Sequence, residues 1–231
     1  MDKTEEQVQL TLEQQHQQDL ERIKLLRPID DTLMREIFRG ELKLVEKILR
    51  IITSKPDLEI ISSETQFDMK HIFGERSITL DVHAKDSTGK IYNFEVQKDN
   101  SGATPQRARY HSSALDVEYL PSKTDFVNLP DTYVIFITER DVRKGGRAIY
   151  LIERMDVATG ELFNDGEHII FVNGAYHNPD DDSDLAKLIH DFKCSDADQM
   201  YLPELAEKTR YLKVNPKGVE QMCKIMEEMR E

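Results

Sequence analysis

Residues 77–98 read SITLDVHAKDSTGKIYNFEVQK, and the spacing within this stretch decides the fold. Residues 77–85 alternate polar and apolar, and so do residues 91–97. Ile78, Leu80, Val82 and Ala84 are answered by Tyr92, Phe94 and Val96. Period-2 alternation of this length marks strands with one buried face. Between the runs, Asp86-Ser87-Thr88-Gly89-Lys90 suits a three-residue loop, a type I turn closed by a glycine in the left-handed region. Gly89 supplies the positive φ that a side chain resists. That turn pairs Asp86 with Lys90, and counting outward sets Asp81 against Glu95 and Thr79 against Gln97.

Directly opposed residues have Cβ atoms roughly 4.5–5.5 Å apart, and like charges there repel. Two acids side by side call for something positive between them, and a divalent metal ion is the natural candidate. An ordinary solvated face is the plain alternative, because antiparallel sheets commonly expose one side to water. Composition weighs against it. The polar set is Ser77, Thr79, Asp81, His83 and Lys85 facing Asn93, Glu95 and Gln97, with both acids in the middle instead of each beside a base.

At 231 residues and 26.9 kDa the chain is sized for one domain with extensions. Apolar content of 39% supplies one core, and 32% charged residues without tryptophan point to a soluble protein of the cytoplasm. The first twenty residues lack the apolar stretch of a signal peptide, and Val134-Ile135-Phe136-Ile137 is strand-sized, so no membrane association is expected. Cys194 and Cys223 are the only cysteines and stand apart, which suggests neither a disulfide framework nor a zinc site. A net charge of −13 argues against nonspecific coating of nucleic acid, which relies on Lys and Arg. It leaves room for a nuclease whose basic residues are local. Residues 107–111 (RARYH) and 140–147 (RDVRKGGR) are such stretches, although a solvated loop explains the second equally well.

Residues 1–27 read as a polar, Gln- and Glu-rich helical arm ended by Pro28. Asp30 or Asp31 suits the N-cap of a helix reaching Arg39, with Gly40 as its stop. Residues 41–53 continue helical, and 58–62 and 66–72 are strand-like or irregular. The hairpin follows. Thr104 caps a helix opened by Pro105 and running to Tyr119. Tyr133 to Thr138 is apolar on both faces, as in a fully buried strand. Residues 148–154 and 168–173 are further strands, 184–192 a short helix, and 203–213 and 216–230 two terminal helices. The expected organisation is an arm over 1–27, a core over 28–195 and a helical extension over 196–231.

A helix, three strands, a helix and a buried strand, with Asp and Glu-x-Gln on the second and third strands, match the restriction-endonuclease-like α/β fold with its α-β-β-β-α-β core and mixed sheet. The sequence resembles the PD-(D/E)XK nuclease-family transposases related to recombination-promoting nucleases. The blocks that carry this are LRPIDDTLMREIF, LDVHAKDSTGKIYNFEVQ, RARYHSSALD, LPDTYVIFITERDV, GEHIIFVNGAY, MYLPELAEKTRYLK and MCKIMEEMR. The resemblance implies a metal-dependent DNA endonuclease of bacterial type, with Asp81 and Glu95 as metal ligands and the Val96 backbone carbonyl as a third donor. Hard oxygen ligands with remaining waters suit Mg²⁺ or Mn²⁺. Gln97, where the wider superfamily usually has Lys, would orient the attacking water but cannot serve as a base. Lys98 is out of phase with it and is expected to point to the apolar side and snorkel to water.

In this fold the helix after the hairpin lies near the site. Arg107 and Tyr110, with His111 and Ala114 at helical spacing, would then contact a DNA phosphate, or instead Arg107 would pair with an acid and Tyr110 pack in the core. Asp31 is either an N-cap or an extra acid for the metal. His83 is expected as a hydrogen-bonding neighbour. A homodimer is compatible with these features. The alternative functional reading is a member of the fold that binds nucleic acid or protein without cutting, or one that acts on RNA.

Overall fold

The structure, a computed structural model, describes residues 12–69, 78–98 and 102–230, with only the backbone of Leu12 and Ile78. Residues 1–11 of the expected arm, the strand's continuation to Ile72, Ser77, and Ser101 of the loop before Thr104 lie outside the described residues. The elements are α1 (Leu12–Leu25), α2 (Asp31–Phe38), α3 (Leu42–Thr53), β1 (Ile60–Met69), β2 (Ile78–Asp86), β3 (Ile91–Gln97), α4 (Pro105–Tyr119), β4 (Thr132–Thr138), β5 (Ile149–Ile152), β6 (Glu167–Asn173), α5 (Asp184–Lys193), α6 (Pro203–Val214) and α7 (Pro216–Glu228). They form a mixed six-stranded sheet in the order β1-β2-β3-β4-β6-β5. β3, β4 and β6 run parallel, and the flanking pairs are antiparallel.

The hairpin has the expected register. Val82, His83, Ala84 and Lys85 pair with Phe94, Asn93, Tyr92 and Ile91, and Gly89 turns the loop at φ +93 with its N–H on the Asp86 carbonyl. The Asp86 carboxylate stiffens the turn by accepting from Thr88 N, Lys90 N and the Tyr92 hydroxyl. Alternation then sorts side chains to the two faces of the sheet. Val82, Ala84, Tyr92, Phe94, Val96, Ile135 and Ile137 enter the larger apolar cluster, together with α2, α3 and α5 to α7. Ile91, Val134, Phe136 and Phe171 enter a second cluster beneath Ala108 and Leu115 of α4. Leu80, in phase with the first set, packs in the second cluster beside Met69.

Helix α4 excludes the alternative of a solvated face. It covers the polar side of β3, so Asn93 and Glu95 are fully buried instead of open to water. Thr104 caps α4 by accepting from Arg107 N, as its position before Pro105 demands. β4, apolar on both faces, is buried along its whole length. β1 is one continuous strand where the sequence reads as two segments; its register shifts between Ile60 and Ser62, and Gln66 has φ +57.

Candidate active site

The β2–β3 ladder closes at Val82 and Phe94, and Asp81 and Glu95 are the next residues on the two strands, beyond the paired register. There the two strands no longer bond backbone to backbone, because the carboxylates take the peptide groups. Asp81 N donates to Glu95 Oε1 at 3.3 Å, and Val96 N donates to Asp81 Oδ2 at 3.0 Å. Within a strand the N–H and C=O of one residue point to the same side. The Val96 carbonyl therefore points to the β2 side, where Asp81 lies, while the Gln97 carbonyl turns toward β4 and accepts from Glu139 N.

Glu95 is 0% exposed and held on several sides. Asn93 Nδ2 donates to Oε1 at 3.1 Å, and Arg107 Nη2 pairs with Oε2 at 3.2 Å. Arg107 Nε also donates to His111 Nε2 at 3.3 Å, which assigns the imidazole proton to Nδ1, 3.6 Å from Glu95 Oε1. Burial and then the Asp81 charge push the Glu95 carboxyl up to about 7, against the opposing pull of Asn93 and Arg107. The Asp81 carboxyl is also raised, first by burial and further by Asp31, while the Val96 N–H opposes the shift. His111 is lowered to about 4 by burial and by Arg107, and His83 to about 4 by burial alone, so both are neutral near pH 7.

A cleft of about 550 Å³ opens beside Asp81, lined also by Asp31, Val96, Gln97 and Lys98. Asp31 is the first residue of α2 and not its cap. It pairs with Arg35 one turn on, at 2.8 Å, and half-exposed it raises the Asp81 carboxyl. Asp30 occupies the cap position without a capping bond, because its carboxylate accepts from Arg27 N and pairs with Lys98 Nζ at 2.7 Å. Lys98 thus faces the cleft and not the apolar side. It lies one residue past the end of β3, where the pleat no longer dictates direction. The Gln97 side chain leans on Gly102, where a β-carbon would come within 1.8 Å of Gln97 Oε1.

Of the site residues expected from sequence, Asp81, Glu95, Gln97, the Val96 peptide and Asp31 gather at this end of the sheet. Arg107 joins them through Glu95. Tyr110 is exposed on α4. His83, expected as a hydrogen-bonding neighbour of the acids, is bonded instead to the Tyr119 hydroxyl and stacked on Phe67. The reading from sequence missed the grip of Asn93 and His111 on Glu95. The available signals were the i, i+2 placement of Asn93 and Glu95 on one strand face and the i, i+4 placement of Arg107 and His111 on one helix face.

Among the described residues no group of three or more His, Cys, Asp and Glu side chains is gathered as for a metal cage. Two carboxylates and a peptide carbonyl are nevertheless an all-oxygen donor set, and Mg²⁺ is commonly held by one or two carboxylates with waters and substrate phosphate completing the shell. The residues present therefore fit a hard divalent cation.

A mixed open sheet of six strands, helices on both faces and an acidic pair where the second and third strands part define a restriction-endonuclease-like α/β protein of the PD-(D/E)XK type. The family model of PD-(D/E)XK nuclease family transposases matches residues 42–195, and the chain belongs to that family. No curated protein and no solved structure matches it. No helix among the described residues is long and apolar enough to cross a membrane.

Proposed function

We propose that this protein is a cytoplasmic, divalent-metal-dependent endonuclease that hydrolyses DNA phosphodiesters in recombination or transposition. The observation that supports this most is the parting of β2 and β3, where the Glu95 carboxylate accepts from the Asp81 peptide and the Asp81 carboxylate from the Val96 peptide, with Asp81 and Val96 lining the cleft. Asp81, Glu95 and the Val96 carbonyl would hold Mg²⁺ or Mn²⁺, with Asp31 adding negative charge at the mouth. When bound, such an ion would lower the pKa of a coordinated water and offset charge on the scissile phosphate.

The chain's own groups do the rest. Gln97, steadied against Gly102, orients the attacking water through its amide but cannot deprotonate it. Arg107 and neutral His111 fix the Glu95 carboxylate in place. The Arg107 side chain is 38% exposed, so its remaining N–H groups can reach a phosphate, with Tyr110 a second contact on α4.

The test is nicking of supercoiled plasmid by the purified chain with Mg²⁺, with Mn²⁺ and with chelator, beside Asp81→Asn. Cleavage is expected only with metal and only in the wild type. Equal nicking by folded Asp81→Asn, or nicking in chelator, would overturn the assignment. One observation favours a second reading, a binding protein without hydrolysis: Glu95 is already tied by Arg107, Asn93 and a peptide N–H. Calorimetry with Mn²⁺ separates the two, since the binding protein would give no heat of metal binding.

A further inference from the structure

The connection from β4 to β5 leaves the sheet at the end where Asp81 and Glu95 lie. Its first residue, Glu139, donates its N–H to the Gln97 carbonyl at 3.1 Å and pairs with Arg27 at 2.8 Å. Beyond it, residues 140–147 carry four cations and one acid. The acid is turned inward. The Asp141 carboxylate accepts from the backbone N–H groups of Arg143 (3.1 Å), Lys144 (2.8 Å) and Gly146 (2.7 Å), and from the Tyr150 hydroxyl at 2.9 Å. The same hydroxyl accepts from Gly145 N at 2.9 Å and Arg147 N at 3.2 Å. Gly145 is required here because a β-carbon would sit 2.9 Å from the Tyr150 ring.

The loop is therefore wound around Asp141 and Tyr150, and its cationic side chains lie on the surface, that of Arg143 over the Phe171 ring at 5.8 Å. Arg140, Arg143, Lys144 and Arg147 are all exposed, and none is ion-paired among the described residues. Most other arginines behave differently: Arg27, Arg35, Arg50, Arg107, Arg154, Arg210 and Arg230 each meet a carboxylate. In a chain of net charge −13, four unpaired cations in eight residues make a local positive field that attracts a polyanion. Internal hydrogen bonds hold the loop in shape before binding, which lowers the ordering cost of contact.

We propose that the β4–β5 loop is the docking surface for the DNA backbone, with Arg140, Arg143, Lys144 and Arg147 contacting phosphates so that the duplex lies across the end of β3 and β4. This rests on the nuclease reading for the meaning of the docked position, and the test is one of binding, not of cleavage. The probe is a short fluorescein-labelled DNA duplex titrated by anisotropy over a range of salt, in chelator, with the full chain. The variants are Arg140→Ala/Arg143→Ala/Arg147→Ala and, as control, Lys217→Ala/Lys224→Ala on α7.

Each lost phosphate contact flattens the log–log salt dependence by about 0.9, so the triple variant should lose roughly 2.7 and the control none. An unchanged slope in the triple variant overturns the proposal, and so does a loop-dependent slope that appears with an RNA duplex but not with DNA. Lysine acetylation of the wild type gives an answer independent of any variant: DNA should protect Lys144 and not Lys217, and equal labelling of Lys144 with and without DNA overturns the proposal. Loop-dependent binding without plasmid nicking would remove the nuclease reading and leave the docking surface standing. Nicking with an unchanged slope would do the reverse.

Discussion

Glu95 is a buried acid facing another acid, and this sets the pH behaviour of the site. Its carboxyl is pushed up to about 7, and the Asp81 carboxyl rises with it. A group whose pKa is higher folded than unfolded favours the protonated folded state. That contribution is fully present below the ordinary carboxylate range. It is lost as pH climbs toward 7, because the unfolded chain gives up its proton first. Asp81→Asn removes one of the two charges, so in chelator its melting temperature should exceed the wild type's, and the excess should grow from about pH 5 to about pH 8. An excess that stays flat or shrinks as pH rises would show that the two acids do not burden each other. Added Mn²⁺ should reverse the order by stabilising the wild type alone. The pair itself is legible from the hairpin count. Its neutralising partner is not, since Arg107, steadied by His111, reaches Glu95 only through the docking of α4.

At the scale of elements, the β3–α4 connection matters most for the proposed chemistry. Gly102 forms the wall on which Gln97 rests, and the atoms that a new β-carbon would strike are the far end of a flexible side chain. Gly102→Ala should therefore displace Gln97 at little cost to folding, within about 1 kcal/mol. Plasmid nicking is expected to fall at least tenfold with an unchanged melting curve. Full activity in this variant would show that the Gln97 position is immaterial. Strand and helix positions followed from pattern: β4 from its two-sided apolar run, α4 from Thr104 and Pro105, the hairpin from its turn. The exceptions lie at element ends. Lys98 turns into the cleft once β3 has ended, and Asp30 leaves its capping role for Arg27 and Lys98.

Across the whole molecule, one apolar cluster runs from Ile23 of α1 to Met226 of α7, spanning all three expected segments, 1–27, 28–195 and 196–231. The two ends also meet directly: Arg230 pairs with Asp19, which is only 2% exposed, at 2.6 Å. A shared core favours a single cooperative transition. Thermal unfolding followed by far-ultraviolet circular dichroism and by tyrosine fluorescence should give coincident curves, the latter being readable because the chain has no tryptophan. Two separated transitions would mean that the terminal helices fold apart from the sheet.

What could be read from the residues in order was the local part. A pleat repeats every two residues and a turn depends on its own few side chains, so the hairpin register up to Val82 and Phe94 and the nearness of Asp81 to Glu95 follow from the chain near them, while Leu80 shows where the alternation stops. Burial of Glu95, the grip of Asn93, Arg107 and His111 on it, and the approach of the β4–β5 loop to Gln97 depend on how helix and sheet dock. Those distances join residues far apart in sequence. They are set by apolar packing on both faces of the sheet, which no local period encodes.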